Sequence, residues 1–124
     1  MFYISLPFFY ENYIFNNFFK NYIQSNKDKL IANFSIEYVY GAFPWSYWAG
    51  GTNPHTNKAV LVPEMEYVLN HIKSPLRLDC SNCFLNQNDF YDTHMNACLD
   101  IIKNTGAAIE ISSIDLLKYI QEHD

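Results

Sequence analysis

Four potential metal ligands follow one another in the second half of the chain. Cys80 and Cys83 form a C-x2-C pair, and His94 and Cys98 lie four residues apart in a segment with helical periodicity. Residues at that spacing share one helix face, so the set has the ligand types and spacing of a structural zinc site. Alternatively, Cys80 and Cys98 are core residues, since buried cysteine behaves as a small hydrophobic side chain. We favour core cysteines and no cofactor, and we keep zinc as the alternative.

A second group of residues lies at the carboxyl ends of predicted strands. Tyr40 and Asp79 are near two such ends, and Asn82 follows Asp79 closely. Ligands bind at this rim in parallel sheets. Asp79 has the chemistry of a general base, and Asn82 that of a group orienting a substrate carbonyl or hydroxyl. The alternative is that these are turn and capping residues. The sequence has neither a P-loop nor a G-x-G-x-x-G motif, so no catalytic residue is assigned.

The segment 41–59 lacks periodicity and is rich in Gly, Pro and Trp. Indole rings are costly to leave in water, and glycines let a backbone approach its neighbours closely. We therefore predict that this segment folds over the strand ends with at least one tryptophan packed against the domain. The predicted substrate-binding residues are Tyr40, Trp45, Trp48, Gly50, Gly51, Asp79 and Asn82.

Strand and helix patterns alternate four times, at residues 2–25, 34–73, 76–104 and 107–122. This alternation is typical of an α/β fold with a parallel sheet. The 124 residues predict a single domain, 1–124. Eight β/α units of a barrel typically need about 250 residues. Four consecutive β/α units therefore predict either half of a TIM-like barrel or a small doubly wound layer.

Local signals locate the helix ends. Pro63 suits the first position of the second helix, and residues 87–104 have the pattern of one long helix. Ser113 is placed to cap the last helix, and Ile114 and Leu117 are expected to face inward with Ile120.

Charge is uneven along the chain. Residues 1–62 carry four basic and three acidic side chains, whereas residues 63–124 carry four basic and ten acidic ones. This acidic half argues against direct nucleic-acid binding, which needs clustered Lys and Arg. The first residues lack the features of a signal peptide, and the apolar run there is too short to cross a membrane. With three cysteines, an odd number, the sequence predicts a cytoplasmic protein.

A four-stranded half-barrel leaves two sheet edges open, and open edges pair readily with other chains. We therefore expect self-association or a partner protein that covers the sheet. The apolar strand residues Ile36, Val39, Leu78 and Ile109 motivate this expectation, together with the aromatic first helix.

Residues 40–51 (YGAFPWSYWAGG) resemble a Y-G-x-F-P-x-x-x-W-x-G-G segment near the start of a set of larger, uncharacterised bacterial proteins. The similarity continues through LRLDCSN, DTHMN and EISSIDLLKYI. Those proteins resemble (β/α) barrels, so the resemblance implies the amino-terminal half of such a barrel, and no activity. Members tend to have Arg after the two glycines, where this chain has Thr52. If that Arg binds an anion in those proteins, this chain has lost that contact.

Two classes of function fit these observations. The first is a small-molecule-binding or enzymatic half-barrel with its site at the strand ends and the 41–59 segment. The second is a non-enzymatic acidic interaction protein, such as a phage-type inhibitor or modulator of a basic partner protein.

Overall fold

The computed structural model describes residues 1–7, 10, 12–30, 32–42, 46–49 and 61–123. Strands and α-helices alternate along these ranges. Their bounds are β1 Phe2–Leu6, α1 Tyr13–Ser25, β2 Phe34–Gly41, α2 Leu61–His71, β3 Leu76–Cys80, α3 Thr93–Ile102, β4 Ala108–Ile111 and α4 Ile114–Glu122. Short 3-10 helices occur at Lys27–Lys29 and Gln87–Tyr91.

The four strands form one parallel sheet in the order β1-β2-β3-β4. This confirms the predicted α/β fold of four β/α units. A doubly wound sheet reverses its strand order at a switch point, whereas this order follows the chain without reversal. Consecutive order is the arrangement found in a segment of a (β/α) barrel.

The hydrophobic core lies on one face of the sheet. Val39 in β2 and Leu78 and Cys80 in β3 are buried there, and Ile109 in β4 packs against the same cluster. All four helices contribute to it, with Phe19 from α1, Met65 and Val68 from α2, Met95 and Cys98 from α3, and Leu116 from α4. The helices therefore pack on the same side of the sheet, as right-handed crossovers between consecutive strands require.

The position of this core removes one of the reasons for predicting self-association. Ile36, Val39, Leu78 and Ile109 pack in or against the helix-side core rather than forming an apolar surface on the other side. Ile36 and Val39 are three residues apart and still share the core side, because the β1–β2 register shifts between Ile4 and Ser5. After that shift, strand side chains alternate between faces. The sheet face opposite the helices, which we call the inner face, therefore carries Ser5, Tyr38, Tyr40, Arg77, Asp79 and Glu110. Self-association itself stays a prediction.

The prediction of one long helix at 87–104 is wrong in detail, because two separate helices meet at Asp92. The 3-10 helix ends at Tyr91, and α3 begins at Thr93. Asp92 has extended geometry, and its carboxylate accepts hydrogen bonds from the main-chain N–H groups of His94 and Met95 at 3.0 and 3.2 Å. This N-cap satisfies donors that a continuous helix would have used internally.

Two other helix details differ from the sequence prediction. Helix α2 begins at Leu61, so Pro63 is its third residue. Proline is tolerated there, because the first four N–H groups of a helix have no intrahelical acceptor.

Ser113 caps α4 as predicted, its hydroxyl accepting from the Leu116 N–H at 3.2 Å. Ile114 and Leu117 face outward rather than inward, with 71% and 42% of their surface exposed.

No helix within the described ranges combines the length and the apolar character needed to span a bilayer.

Candidate functional site

The inner face carries a row of polar and aromatic side chains. The strand register pairs Ser5 with Tyr38, Tyr40 with Arg77, and Asp79 with Glu110. Partners in a parallel register point to the same side of the sheet. Tyr40 and Glu110 are exposed, and the other side chains of this row are partly buried.

Arg77, the single arginine of the chain, is held against Tyr38. Its guanidinium carbon lies 4.0 Å from the centre of the Tyr38 ring, and its Nη1 donates to the Tyr38 hydroxyl at 3.0 Å. The Tyr38 and Tyr40 rings meet edge to face, with centroids 6.1 Å apart. Stacking on an aromatic face reduces the freedom of the guanidinium group. Arg77 is thus a pre-oriented cation with further N–H groups available for an acceptor.

Asp79 and Glu110 are directly opposite each other on neighbouring strands. One carboxylate oxygen of Asp79 accepts a hydrogen bond from the main-chain N–H of Ser81 at 2.9 Å. This bond holds the carboxylate at the carboxyl end of β3. Like charges in direct cross-strand register destabilise a sheet. Such a pair can accept hydrogen bonds from the hydroxyl or amine groups of a ligand.

Asn82, predicted to orient a substrate, holds two loop segments together through hydrogen bonds. Its Nδ2 donates to the Tyr47 carbonyl at 2.8 Å, and its Oδ1 accepts from the Phe84 N–H at 2.9 Å. Its own N–H donates to the Trp48 carbonyl at 2.9 Å. Both polar groups of the side chain therefore have main-chain partners, which is the turn role weighed as the alternative.

Trp48 is fully buried, which confirms that at least one tryptophan of the 41–59 segment packs against the domain. Ser46 precedes it, and the Ser46 hydroxyl accepts from the Trp48 N–H at 3.1 Å. The indole Nε1 donates to the Asp89 carbonyl at 2.8 Å, and the ring meets Tyr119 edge to face at 6.2 Å. A buried ring with these partners anchors the fold, so the prediction that Trp48 contacts a ligand has no support in this arrangement.

The predicted binding residues Trp45, Gly50 and Gly51 lie outside the described residues, as does Thr52.

The four candidate zinc ligands are in different environments. Cys80 and Cys98 are buried in the core, whereas Cys83 is exposed. A ring nitrogen of His94 lies 3.8 Å from a carboxylate oxygen of Asp92. Within the described part of the chain, no three His, Cys, Asp or Glu side chains are grouped to hold a metal ion.

Burial also makes the two core thiols poor nucleophiles. It raises the pKa of Cys80 to about 12, with a further contribution from the nearby Asp79 charge. Burial likewise raises the pKa of Cys98 well above its usual value, and proximity to Cys80 adds to the shift. Both side chains are therefore neutral thiols at pH 7, as core cysteines should be.

Sequence reasoning missed three inner-face residues, Tyr38, Arg77 and Glu110. A signal for an inner polar face was present in the sequences of β3 and β4, because LRLDC and AIEI alternate apolar and polar side chains. Alternation indicates that one face of a strand is not in the core, and it would have placed Arg77 and Asp79 together.

Comparison with known family models, curated proteins and solved structures found no match to this chain.

Proposed function

We propose that this chain binds a small polar ligand on the inner face of its sheet, between Arg77 near the start of β3 and the carboxylates of Asp79 and Glu110 near the carboxyl ends of β3 and β4. One observation carries the proposal: Tyr40, Arg77, Asp79 and Glu110 share that face in register. The face thus offers a cationic donor, two carboxylate acceptors and an aromatic surface within a few residues of one another.

The side chains suit a ligand that has both hydrogen-bond donors and acceptors, such as a polyol, an amino acid or a nucleoside. Arg77 supplies donors to an acceptor group of the ligand. Asp79 and Glu110 accept from hydroxyl or amine groups, and Tyr40 provides a ring for stacking. If the protein is an enzyme, Asp79 is our candidate general base, because Ser81 fixes its carboxylate at the strand end where parallel sheets bind ligands.

The test is a panel of polyols, amino acids and nucleosides, screened by thermal shift and followed by calorimetric titration of each hit. For a ligand of the inner face, Arg77→Met and Glu110→Gln should each weaken binding by about tenfold or more, which is the loss of one good polar contact. Asp100→Asn is the matched control, since Asp100 is exposed on α3, on the opposite side of the sheet. Hits that bind all variants equally, or a panel without hits, would count against the proposal.

A second candidate is an acidic interaction protein, which the ten acidic residues within 63–124 favour. Affinity capture from the native host followed by mass spectrometry tests it. Recovery of one basic protein, lost at raised salt, supports this candidate. Capture that is unchanged by salt contradicts it.

Two further parts of the proposal rest on the sequence. We propose a cytoplasmic location, because free thiols persist in a reducing compartment and all three cysteines are unpaired. We also propose that the chain corresponds to the amino-terminal half of the larger barrel-like proteins it resembles.

A further inference from the structure

We infer that two copies of this chain close edge to edge into an eight-stranded parallel barrel, with β1 of each copy beside β4 of the other. This assembly goes beyond ligand binding and does not depend on it. Four consecutive parallel strands with all helices on one side are half of such a barrel. Rotation by 180° about the barrel axis keeps the edge strands parallel and makes both new contacts equivalent.

The first support is the outer flank of α1. The flank of α1 toward α2 is occupied: the Tyr13 ring contacts Tyr67, and Asn17 donates to the His71 carbonyl at 2.7 Å. The other flank exposes Phe15, Phe18 and Tyr22, with 58%, 65% and 50% of their surface exposed. These positions lie on one side of the helix by its periodicity. An aromatic stripe therefore points away from the sequential neighbour, next to the open edge of β1.

The second support is the outer flank of α4, at the opposite end of the layer. Tyr119 faces the rest of the domain, where its ring stacks on Phe90 and its hydroxyl donates to Asn96 at 2.9 Å. Ile114 and Leu117 lie on the other flank and are exposed. In a continuous barrel, this flank faces the next helix along the ring, and in the proposed pair that helix is α1 of the second copy.

Charge favours pairing of unlike edges over pairing of like edges. Residues 1–30 carry three lysines and two acidic side chains, whereas residues 107–124 carry one lysine and four acidic side chains. The segment that contains β1 and α1 therefore has a net charge of +1, and the segment that contains β4 and α4 has a net charge of −3. Unlike edges attract, while two β4–α4 edges repel. A second copy of this chain supplies the complementary edge at both ends of the sheet.

Closure would also complete the candidate site. The inner faces of the two copies would turn toward each other, and an eight-stranded barrel has an interior that side chains fill or that holds one small ligand. Each copy contributes one Arg77 and the carboxylates of Asp79 and Glu110. Because both inner faces would line the same interior, a ligand held there would contact both copies, and its polar contacts would be stronger than in water.

The test uses light scattering after size exclusion, over a wide concentration range. The expected mass is twice the chain mass of 14.6 kDa. Phe18→Glu on the α1 flank and Leu117→Lys on the α4 flank should each give monomers. Phe84→Glu is the control, because Phe84 is 90% exposed in the loop after β3, away from both edges, and it should remain dimeric. Circular dichroism and thermal melts verify that each variant is folded.

Mixing the two monomeric variants identifies which edges meet. A pair made of one Phe18→Glu chain and one Leu117→Lys chain keeps one unmodified β1–β4 contact and places the new charges of opposite sign in the other. The mixture should therefore regain the dimer mass. A wild-type monomer at every concentration, a species that grows beyond the dimer, or a Leu117→Lys variant that remains dimeric would each overturn the inference. The measured masses test only the dimer. The ligand titrations described under the proposed function test ligand binding independently of that result.

Discussion

The indole nitrogen of Trp48 donates a hydrogen bond to the main-chain oxygen of Asp89 at 2.8 Å, joining residues 41 positions apart in sequence. The bond connects the segment after β2 to the 3-10 helix after β3. Since the ring also contacts Tyr119 of α4, one side chain brings three β/α units together. Trp48 is thus a central packing residue of the domain.

Trp48→Ala should lower the free energy of unfolding by about 3–5 kcal/mol, because it removes a large buried ring and leaves a cavity. Trp48→Phe keeps part of the apolar volume and leaves the Asp89 carbonyl without its donor, so it should cost less than Trp48→Ala. Urea unfolding followed by circular dichroism measures both. Phe84→Ala is the control for an exposed aromatic and should change stability little. A Trp48→Ala protein as stable as the wild type would contradict the packing role.

Asn82→Ala should destabilise the protein by about 1–2 kcal/mol, because two side-chain hydrogen bonds to main-chain groups are lost. Hydrogen exchange should also become faster at the main-chain N–H of Asn82, whose acceptor is the Trp48 carbonyl. Asn88→Ala is the matched control, since Asn88 is exposed on the neighbouring 3-10 helix. Normal stability and exchange in Asn82→Ala, combined with lost ligand binding, would instead support the ligand-orienting role predicted from sequence.

Glu110→Gln should stabilise the free protein by about 0.2–1 kcal/mol, because it relieves the like-charge pair with Asp79. The same variant should weaken ligand binding if the inner face is the site. Opposite effects on stability and binding are typical of functional residues. Glu122→Gln removes the same charge from an exposed position on α4 and controls for net charge. Equal stability of the two variants would argue against a repulsive pair.

Alkaline pH should destabilise the protein through its buried thiols. The pKa of Cys80 is about 12 in the folded chain and near 8.5 in an unfolded one. Between these values the unfolded chain releases a proton that the folded chain keeps, so the contribution to stability is full below about pH 8.5 and declines as pH rises toward 12. One such thiol contributes a slope of about 1.4 kcal/mol per pH unit.

Urea unfolding at several alkaline pH values should therefore give a shallower pH dependence for Cys80→Ala than for the wild type. Cys83→Ala is the control, because Cys83 is exposed, and it should leave the slope unchanged. A thiol reagent should label Cys83 alone in the native protein and all three cysteines after unfolding. Parallel pH profiles for wild type and Cys80→Ala, or fast native labelling of Cys80, would contradict the buried position.

Local sequence patterns determined the fold class of this protein. The strands that the sequence predicts at residues 2–6, 34–40, 76–80 and 107–111 lie within one residue of the observed bounds, because short β-branched and aromatic runs bounded by turn residues depend on nearby sequence alone. The Ser113 cap is local for the same reason. The prediction of one helix at 87–104 was wrong because its periodicity fits either one continuous helix or a new helix capped by Asp92. Only the backbone geometry at Asp92 decides between the two.

Only the tertiary structure decided which of the predicted site residues meet. Tyr40 and Asp79 share the inner face, whereas Trp48 and Asn82 join loops, and the four candidate zinc ligands are not grouped. These outcomes depend on strand register and on contacts between distant segments, which no local pattern specifies. A helix pattern likewise shows an apolar stripe without showing what covers it. The sequence therefore determined the order and type of the elements, and long-range packing decided which faces form the core, the candidate site and the outer flanks.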